Sequence, residues 1–343
     1  MDCPVVLAID GNSLVHRSFH AQTNSAQPAW AVRGLLSQLV AAVDRVRPTS
    51  VVIGFDDSCC SVRRERWSQY KANRPPKLPT LVEQLASAVE VMRELGAAVV
   101  VPTGLEADDV LASAARFARE GGARTVIVSS DRDAFALIDE HTDVLRIING
   151  GVDASPLMTP DRLVTLLGVR PDQYRDYAAL RGDPSDNLPG VQGIGPKTAA
   201  RLLTEFGSAA AAFEDLDKVR DTLGTAVAAR LAPADARAAW ALNCEVMALH
   251  DDIVLGLDLS SGPGLLPFGA AAVDAVFRAH NLTWSTAQAV RVLADADPYT
   301  DRPSRPEPES WNASDPWAAR PRLRSAARPR PAEPVNTQLS LFD

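Results

Sequence analysis

The sequence predicts an α/β fold, a mostly parallel sheet flanked by helices and followed by a smaller helical region. Three observations carry this. Apolar, β-branched runs of strand length recur through the first half of the chain, helical patterns separate them, and strand signals vanish from about Met158 onward. Continuously apolar runs suit strands buried on both faces, as in a parallel sheet, and strand–helix alternation builds such a sheet.

Taken in order, Val5 to Ile9 leads to Asp10, Val51 to Phe55 leads to Asp56, and Thr125 to Val128 leads through two serines to Asp131. A fourth run, Ala97 to Val101, stops at Pro102, and a fifth spans Val144 to Ile148. The helical patterns are Ala31 to Arg45, Leu81 to Glu94 and Ala107 to Glu120. In open α/β sheets, sites form beyond the carboxyl ends of the strands. Three of these strands therefore deliver an acid to one sheet edge. The first domain is predicted over residues 1–157. Ala/Leu/Arg-rich helical segments then form a second domain over 158–293, interrupted by a loop from Gly182 to Gly195. Residues 298–337 are rich in Pro, Arg, Ser and Glu with few aliphatics. Such a segment buries too little surface to offset its ordering entropy, so it is predicted to be a disordered linker. Residues 338–343 regain hydrophobicity.

Composition narrows the function. The 343-residue chain is 46% hydrophobic, typical of a globular protein. No stretch approaches the ~20 apolar residues of a membrane span. The apolar run from Pro4 to Ile9 is too short for a signal peptide, so a cytoplasmic protein without a membrane partner is expected. Cys3, Cys59, Cys60 and Cys244 show neither a CxxC spacing nor a histidine at zinc-ligand spacing, and they read as reduced thiols. The net charge of −8 argues at first against nucleic acid. Nine of the acids lie in the motifs below, however, and setting them aside leaves about +1.

Gly104-Leu105-Glu106-Ala107-Asp108-Asp109 places three acids at the opening of a helix, where the dipole tolerates them. Capping explains one or two. It does not explain Asp10, Asp56, Asp131 and Asp133 at the same sheet edge. Any one of these aspartates alone reads as a turn or cap residue. Together they repel unless a hard cation sits among them. Mg²⁺ suits oxygen ligands and keeps room for a phosphate, and two such ions serve phosphodiester hydrolysis. Zinc is disfavoured because no His or Cys accompanies the acids. A further acidic pair, Asp183 and Asp186, falls in a turn-forming segment. Downstream, Gly190, Gly193 and Gly195 lead into a helix that begins Pro196-Lys197-Thr198. Glycines admit a phosphate close to the backbone and the helix N-terminus offers free N–H groups. This is a helix-hairpin-helix signature, predicted over 188–206, for sequence-independent grip on a nucleic-acid backbone. It is not a Walker loop, since the GxxxxGK spacing is absent.

The motifs AIDGNSLVHRSFHA, GFDD, RWSQYKANRP, GLEADDVLAS, SSDRDAFALI and LRGDPSDNLPGVQGIGPKTAARLL together resemble the bacterial and phage 5′→3′ exonuclease, or flap endonuclease, family over roughly residues 4 to 290. That family includes the N-terminal domain of bacterial DNA polymerase I. The resemblance implies a PIN-like sheet domain and a structure-selective 5′ nuclease of two-metal type. It would act in primer removal, replication and repair on branched or 5′-ended DNA, RNA-primed ends included. It implies metal-site roles for Asp10, Asp56, Glu106, Asp108, Asp131, Asp133, Asp183 and Asp186, with Asp109 matching the same EADD pattern. The ions would be two or more Mg²⁺, with Mn²⁺ as an alternative. Arg17 and Lys71 match basic residues that contact the scissile phosphate, with Arg74 a lesser candidate. Tyr70 matches a position suited to stacking on an unpaired base. Residues 63–85 would form an arch or gateway for a 5′ single strand, lined by Arg63, Arg64, Arg66, Lys71, Arg74 and Lys77. Gly190 to Thr198 would hold the duplex around a K⁺ ion. A proline-rich tail stands where the polymerase-linked form continues, so a stand-alone enzyme is expected; a monomer is expected as well.

Gln338-Leu339-Ser340-Leu341-Phe342 resembles the pentapeptide with which bacterial proteins dock on the replicative sliding clamp. Leu341 and Phe342 would fill an apolar pocket, with Leu339 beside them and Gln338 hydrogen-bonding at its edge. A flexible linker of this length has an r.m.s. span on the order of 35 Å, which raises the effective concentration of the nuclease beside the clamp. Two other readings stand beside this one. A PIN-type ribonuclease would share the sheet and acids but normally lacks the arch and the hairpin. A non-catalytic, clamp-tethered junction-binding protein predicts missing ligands.

Overall fold

In the computed structural model, which describes residues 3–21, 29–283 and 285–295, the five apolar runs form five parallel strands. These are Val5–Asp10 (β1), Ser50–Gly54 (β2), Ala98–Val100 (β3), Arg124–Ser129 (β4) and Thr142–Arg146 (β5). A two-residue strand, Leu157–Met158 (β6), pairs antiparallel to β5 and closes the edge. The order is β3-β2-β1-β4-β5-β6. The chain therefore runs outward from β1 in one direction and from β4 in the other. The β1/β4 junction is the switch point where open α/β sheets place their sites.

The helices of the first half are Gly11–His20 (α1), Trp30–Val46 (α2), Val62–Arg66 (α3), Pro79–Leu95 (α4) and Ala107–Glu120 (α5). The three helical patterns read from sequence are α2, α4 and α5. Periodicity did not single out α1, a short helix capped by Asp10 at the end of β1. Such a cap contributes about 1 kcal/mol. Of the stretch expected to form an arch, residues 79–85 are the first turns of α4, whose Leu81 is buried in the core.

The helical region comprises Pro160–Leu167 (α6), Tyr174–Arg181 (α7), Pro196–Phe206 (α8), Ala209–Glu214 (α9), Leu216–Leu223 (α10), Thr225–Leu231 (α11) and Ala234–Val246 (α12). Ala270–Ala279 (α13) and Thr286–Ala294 (α14) follow. Strand pairing does not end at Met158 as the sequence suggested. Gly182–Asp183 (β7) pairs antiparallel with Leu188–Pro189 (β8), a ladder too short and too rich in Gly and Pro to give a strand signal.

Side chains alternate across the sheet. Leu7, Ile9, Val51, Ile53, Val126 and Val128 face a layer built from α1, α2, α4, α13 and α14. Val6, Ala8, Val52, Ile127 and Val144 face α5 and, through it, the helices from α6 to α12. Thus α13 and α14 pack beside the first-half helices rather than with the hairpin. The described residues fall in one compact unit. The linker and clamp tail expected at 298–343 lie outside the described residues. No described helix is long and apolar enough to cross a membrane.

Candidate active site

The acids at the strand ends are cross-linked by short polar side chains. Asp10 accepts from the Ser13 amide and from the Ser129 hydroxyl, both at 2.8 Å, so it spans the β1/β4 junction. The Ser129 hydroxyl also accepts from the Asp131 amide at 3.0 Å. Asp131 in turn accepts from the Asp133 amide at 3.1 Å. Asp56, after β2, accepts from the Ala107 amide at 3.0 Å and from the Asn12 side-chain amide. Asn12 returns the contact, accepting from the Asp56 backbone at 3.2 Å. Sequence reasoning missed Asn12 and Ser129. Their signal is proximity alone: each lies two residues from an acid of the cluster.

The α5 N-terminus delivers three acids in three directions. Glu106 is the N-cap and meets the Lys71 ammonium at 2.7 Å, the Tyr70 hydroxyl at 2.9 Å and the Arg63 guanidinium at 3.5 Å. Burial alone would raise its carboxyl. Lys71, Arg63 and the Tyr70 hydroxyl outweigh that and hold it below the ordinary value. Asp108 points inward. Burial, then the charges of Asp10, Asp131 and Asp133, push its carboxyl well above the ordinary range. Its Oδ1 is buried with no hydrogen-bond partner.

Asp109, expected among the metal-site acids, is not one of the converging carboxylates. It is fully buried, and both its oxygens accept from Arg63 at 2.7 Å. It also accepts from the Glu106 amide, closing the capping box, and from the His250 amide. Sitting three residues after Glu106, it faces back along α5 towards Arg63.

The second half of the molecule completes the cluster. Asp133 is pushed up to about 8 by burial and then by Asp131, Asp183 and Asp186. Acids from the sheet edge and from the β7–β8 turn are therefore neighbours. Asp10 is pushed up to about 7, chiefly by burial, with Asp56 and Asp131 adding to it. Asp186 lies above its ordinary value through burial, although Lys71 and Arg74 offset part of this. One cavity is lined by Glu106, Asp108, Asp133 and Asp186 together.

These residues fit a hard divalent cation. A buried carboxylate oxygen without a donor, among carboxyls that raise one another's proton affinity, is the environment a cation relieves. Among the described residues, no three His, Cys, Asp or Glu side chains are gathered tightly enough to hold an ion unaided. Mg²⁺ requires no such closed shell, since it binds through one or two carboxylates and retains waters.

The predicted cations fare differently from one another. Lys71 is at the cluster, on Glu106. Arg74 reaches Asp186, and Lys77 lies 3.8 Å from Asp56. Arg17 donates to the Asn149 side chain at 3.0 Å. Arg63 does not line a passage, being 4% exposed and bound to Asp109 and to the Val246 and Ala248 carbonyls. Tyr70 is not placed to stack on a base: it is 6% exposed, packed against Leu188 and Val246, with its hydroxyl on Glu106. Leu188 and Val246 lie far away in sequence, so their approach left no local signal.

Of the hairpin expected over 188–206, the helix after the glycines is α8, while α7 lies before the span, separated from it by the β7–β8 pair. A Cβ on Gly190 would lie 2.2 Å from the Arg181 carbonyl oxygen, which explains the glycine. Gly193 has φ 78° and its carbonyl accepts from Arg230 at 2.8 Å, a contact the sequence did not reveal. Gly195 caps α8, whose first turn holds the exposed Lys197 and the half-buried Thr198.

Comparison with known proteins follows the same outline. A family model described as the 5′-3′ exonuclease N-terminal resolvase-like domain matches residues 5–168. Another, the 5′-3′ exonuclease C-terminal SAM fold, matches residues 169–263. DNA polymerase I of Mycobacterium bovis is 38% identical over 235 residues, covering 67% of this chain and 26% of that protein. The thermostable DNA polymerase I of Thermus aquaticus is 38% identical over 259 residues, covering 74% of this chain and 30% of that protein. The chain thus spans between a quarter and a third of the length of these relatives. Among solved structures, bacteriophage T5 5′-exonuclease with bound zinc aligns at TM-score 0.60 with 18% identity, covering 84% of this chain and 99% of that one. The catalytic core of Rad2 with DNA substrate aligns at TM-score 0.57 with 14% identity, covering 85% and 92%.

Proposed function

Because this chain belongs to the 5′-3′ exonuclease family, we propose that it is a structure-selective 5′ nuclease. It hydrolyses DNA phosphodiesters at 5′ ends and flaps, in primer removal, replication and repair. The supporting observation is the gathering of Glu106, Asp108, Asp133 and Asp186 on one cavity, with Asp10 and Asp131 as further charged neighbours of Asp108, whose Oδ1 is buried without a hydrogen-bond partner. Two or more divalent ions, Mg²⁺ with Mn²⁺ as an alternative, would be held by Asp10, Asp56, Glu106, Asp108, Asp131, Asp133, Asp183 and Asp186. They would supply activation of water and charge stabilisation at the attacking and leaving oxygens.

The chain's own groups position the substrate. Lys71, already at the cluster, would oppose the charge developing on the phosphate, and Arg17, steadied by Asn149, would add a second cation. Free amides at the α8 N-terminus, with Lys197 and Thr198, would hold the duplex backbone, with K⁺ in the hairpin loop. Residues 338–342 would dock the enzyme on the sliding clamp, and the enzyme would act as a monomer. The test offers a labelled 5′ flap, a 3′ flap and a blunt duplex of the same sequence with Mg²⁺. Cleavage at the single-strand/duplex junction is expected on the 5′ flap and not on the 3′ flap, with the blunt duplex shortened only from its 5′ ends, and equal junction cleavage of the 3′ flap contradicts the reading.

A further inference from the structure

Lys71 stands beside Glu106 on a backbone of φ 55°, a left-handed conformation that a lysine rarely adopts. Something must hold it there, and such strain persists only where the surroundings over-determine it. The holding contacts come from the β7–β8 turn, more than a hundred residues further along the chain. The Lys71 amide donates to the Asp186 carbonyl at 2.9 Å. Next to it, the Asn187 side chain uses both of its ends. Its Nδ2 donates to the Gln69 carbonyl at 2.8 Å, and its Oδ1 accepts from Asn73 Nδ2 at 2.8 Å. Asn187 thus grips the residues two before and two after Lys71. Asn187 is itself left-handed, at φ 58°, a conformation asparagine tolerates better than most residues.

We propose that Asn187 is a positioning residue. It clasps residues 69–73 to the acid-bearing β7–β8 turn and so fixes the Lys71 ammonium at the carboxylate cluster. The proposal rests on the nuclease reading above. It explains why a residue that neither carries charge nor reaches the cluster sits beside Asp186. It also makes the turn that supplies Asp183 and Asp186 responsible for where Lys71 stands.

Replacement by glycine separates the clasp from the turn. Asn187→Gly keeps the left-handed backbone and deletes both side-chain bonds, whereas Asn187→Ala removes both features. Asn73→Ala deletes one bond from the exposed side and leaves the acidic turn untouched. The full chain is used for two measurements: single-turnover cleavage of a 5′ flap at saturating protein with Mg²⁺, and hydrogen exchange across residues 67–78 without metal. A misplaced catalytic group costs roughly 10- to 100-fold in rate, so Asn187→Gly is expected to cleave that much more slowly with flap affinity unchanged. Asn73→Ala should slow cleavage to a lesser degree. Exchange across residues 67–78 should accelerate in both variants. Wild-type cleavage by Asn187→Gly beside slow Asn187→Ala overturns the proposal, because the turn conformation alone would then matter. A loss confined to flap affinity, or unaltered exchange, overturns it as well. If the wild type itself leaves the flap intact, the nuclease reading fails, while the exchange measurement still decides whether the clasp exists.

Discussion

Arg63 and Asp109 form a bidentate ion pair, both guanidinium–carboxylate contacts at 2.7 Å, in the interior between α3 and α5. Arg63 also donates to the Val246 and Ala248 carbonyls, and the His250 amide donates to Asp109. The pair therefore joins the helix that presents Glu106 and Asp108 to the end of the helical region. Removing one partner of a buried pair strands the other charge, at a cost of about 3–5 kcal/mol. Arg63→Ala is expected to lower the unfolding free energy read from denaturant titration by that amount. A change within the error of denaturant titration contradicts a buried, paired Asp109.

The carboxyls pushed upward give a pH dependence of definite sign. Asp10 at about 7 and Asp133 at about 8 bind protons in the folded state that they release when unfolded near their ordinary 3.8. Stability from this source is complete below about pH 4 and is lost as pH rises through 7 to 8. The metal-free protein should therefore lose thermal stability between pH 5 and pH 8, and a divalent cation should restore more of it at pH 8 than at pH 6. A ligand at a hundred times its Kd adds about 2.7 kcal/mol, which differential scanning calorimetry resolves readily. An Mg²⁺-induced rise in Tm that is larger at pH 6 contradicts this assignment.

Lys71→Ala separates chemistry from binding. Loss of one preorganised charge at the reacting phosphate costs on the order of 10²–10³ in rate. Single-turnover cleavage should fall by that range while flap affinity, measured by anisotropy in Ca²⁺, holds steady. A variant that loses affinity and cleaves at the wild-type rate when saturated places Lys71 in the grip instead.

Gly190→Ala tests the hairpin. Its Cβ would meet the Arg181 carbonyl oxygen at 2.2 Å and the Gly182 nitrogen at 2.6 Å, both backbone atoms that cannot swing aside. Overpacking of this kind costs about 1–3 kcal/mol. Duplex affinity and denaturant stability should fall together. Retention of both contradicts the close approach.

Much of this site is legible in the sequence, because strand ends and a helix N-terminus place Asp10, Asp56, Glu106, Asp108 and Asp131 by local rules. Asp109 looked identical to Asp108 in sequence. What separates them is a guanidinium 46 residues earlier, a tertiary contact without a local signature. Tyr70 likewise reads as a stacking residue until Leu188 and Val246 close over it. The clasp on Lys71 joins two turns that are each unremarkable alone, and only their approach gives Asn187 a role.

The central claim is that the converging carboxylates form a cation-dependent cutting centre. Asp131 tests it most directly, since it links the sheet edge to Asp133 and makes no buried ion pair whose loss would unfold the chain. A 5′-labelled flap is incubated with Mg²⁺ and either the wild type or Asp131→Ala, with thermal unfolding confirming that both are folded. The account predicts cleavage at the single-strand/duplex junction by the wild type and its abolition in Asp131→Ala. Equal cleavage by the two proteins, or cleavage by the wild type that persists in excess chelator, contradicts it.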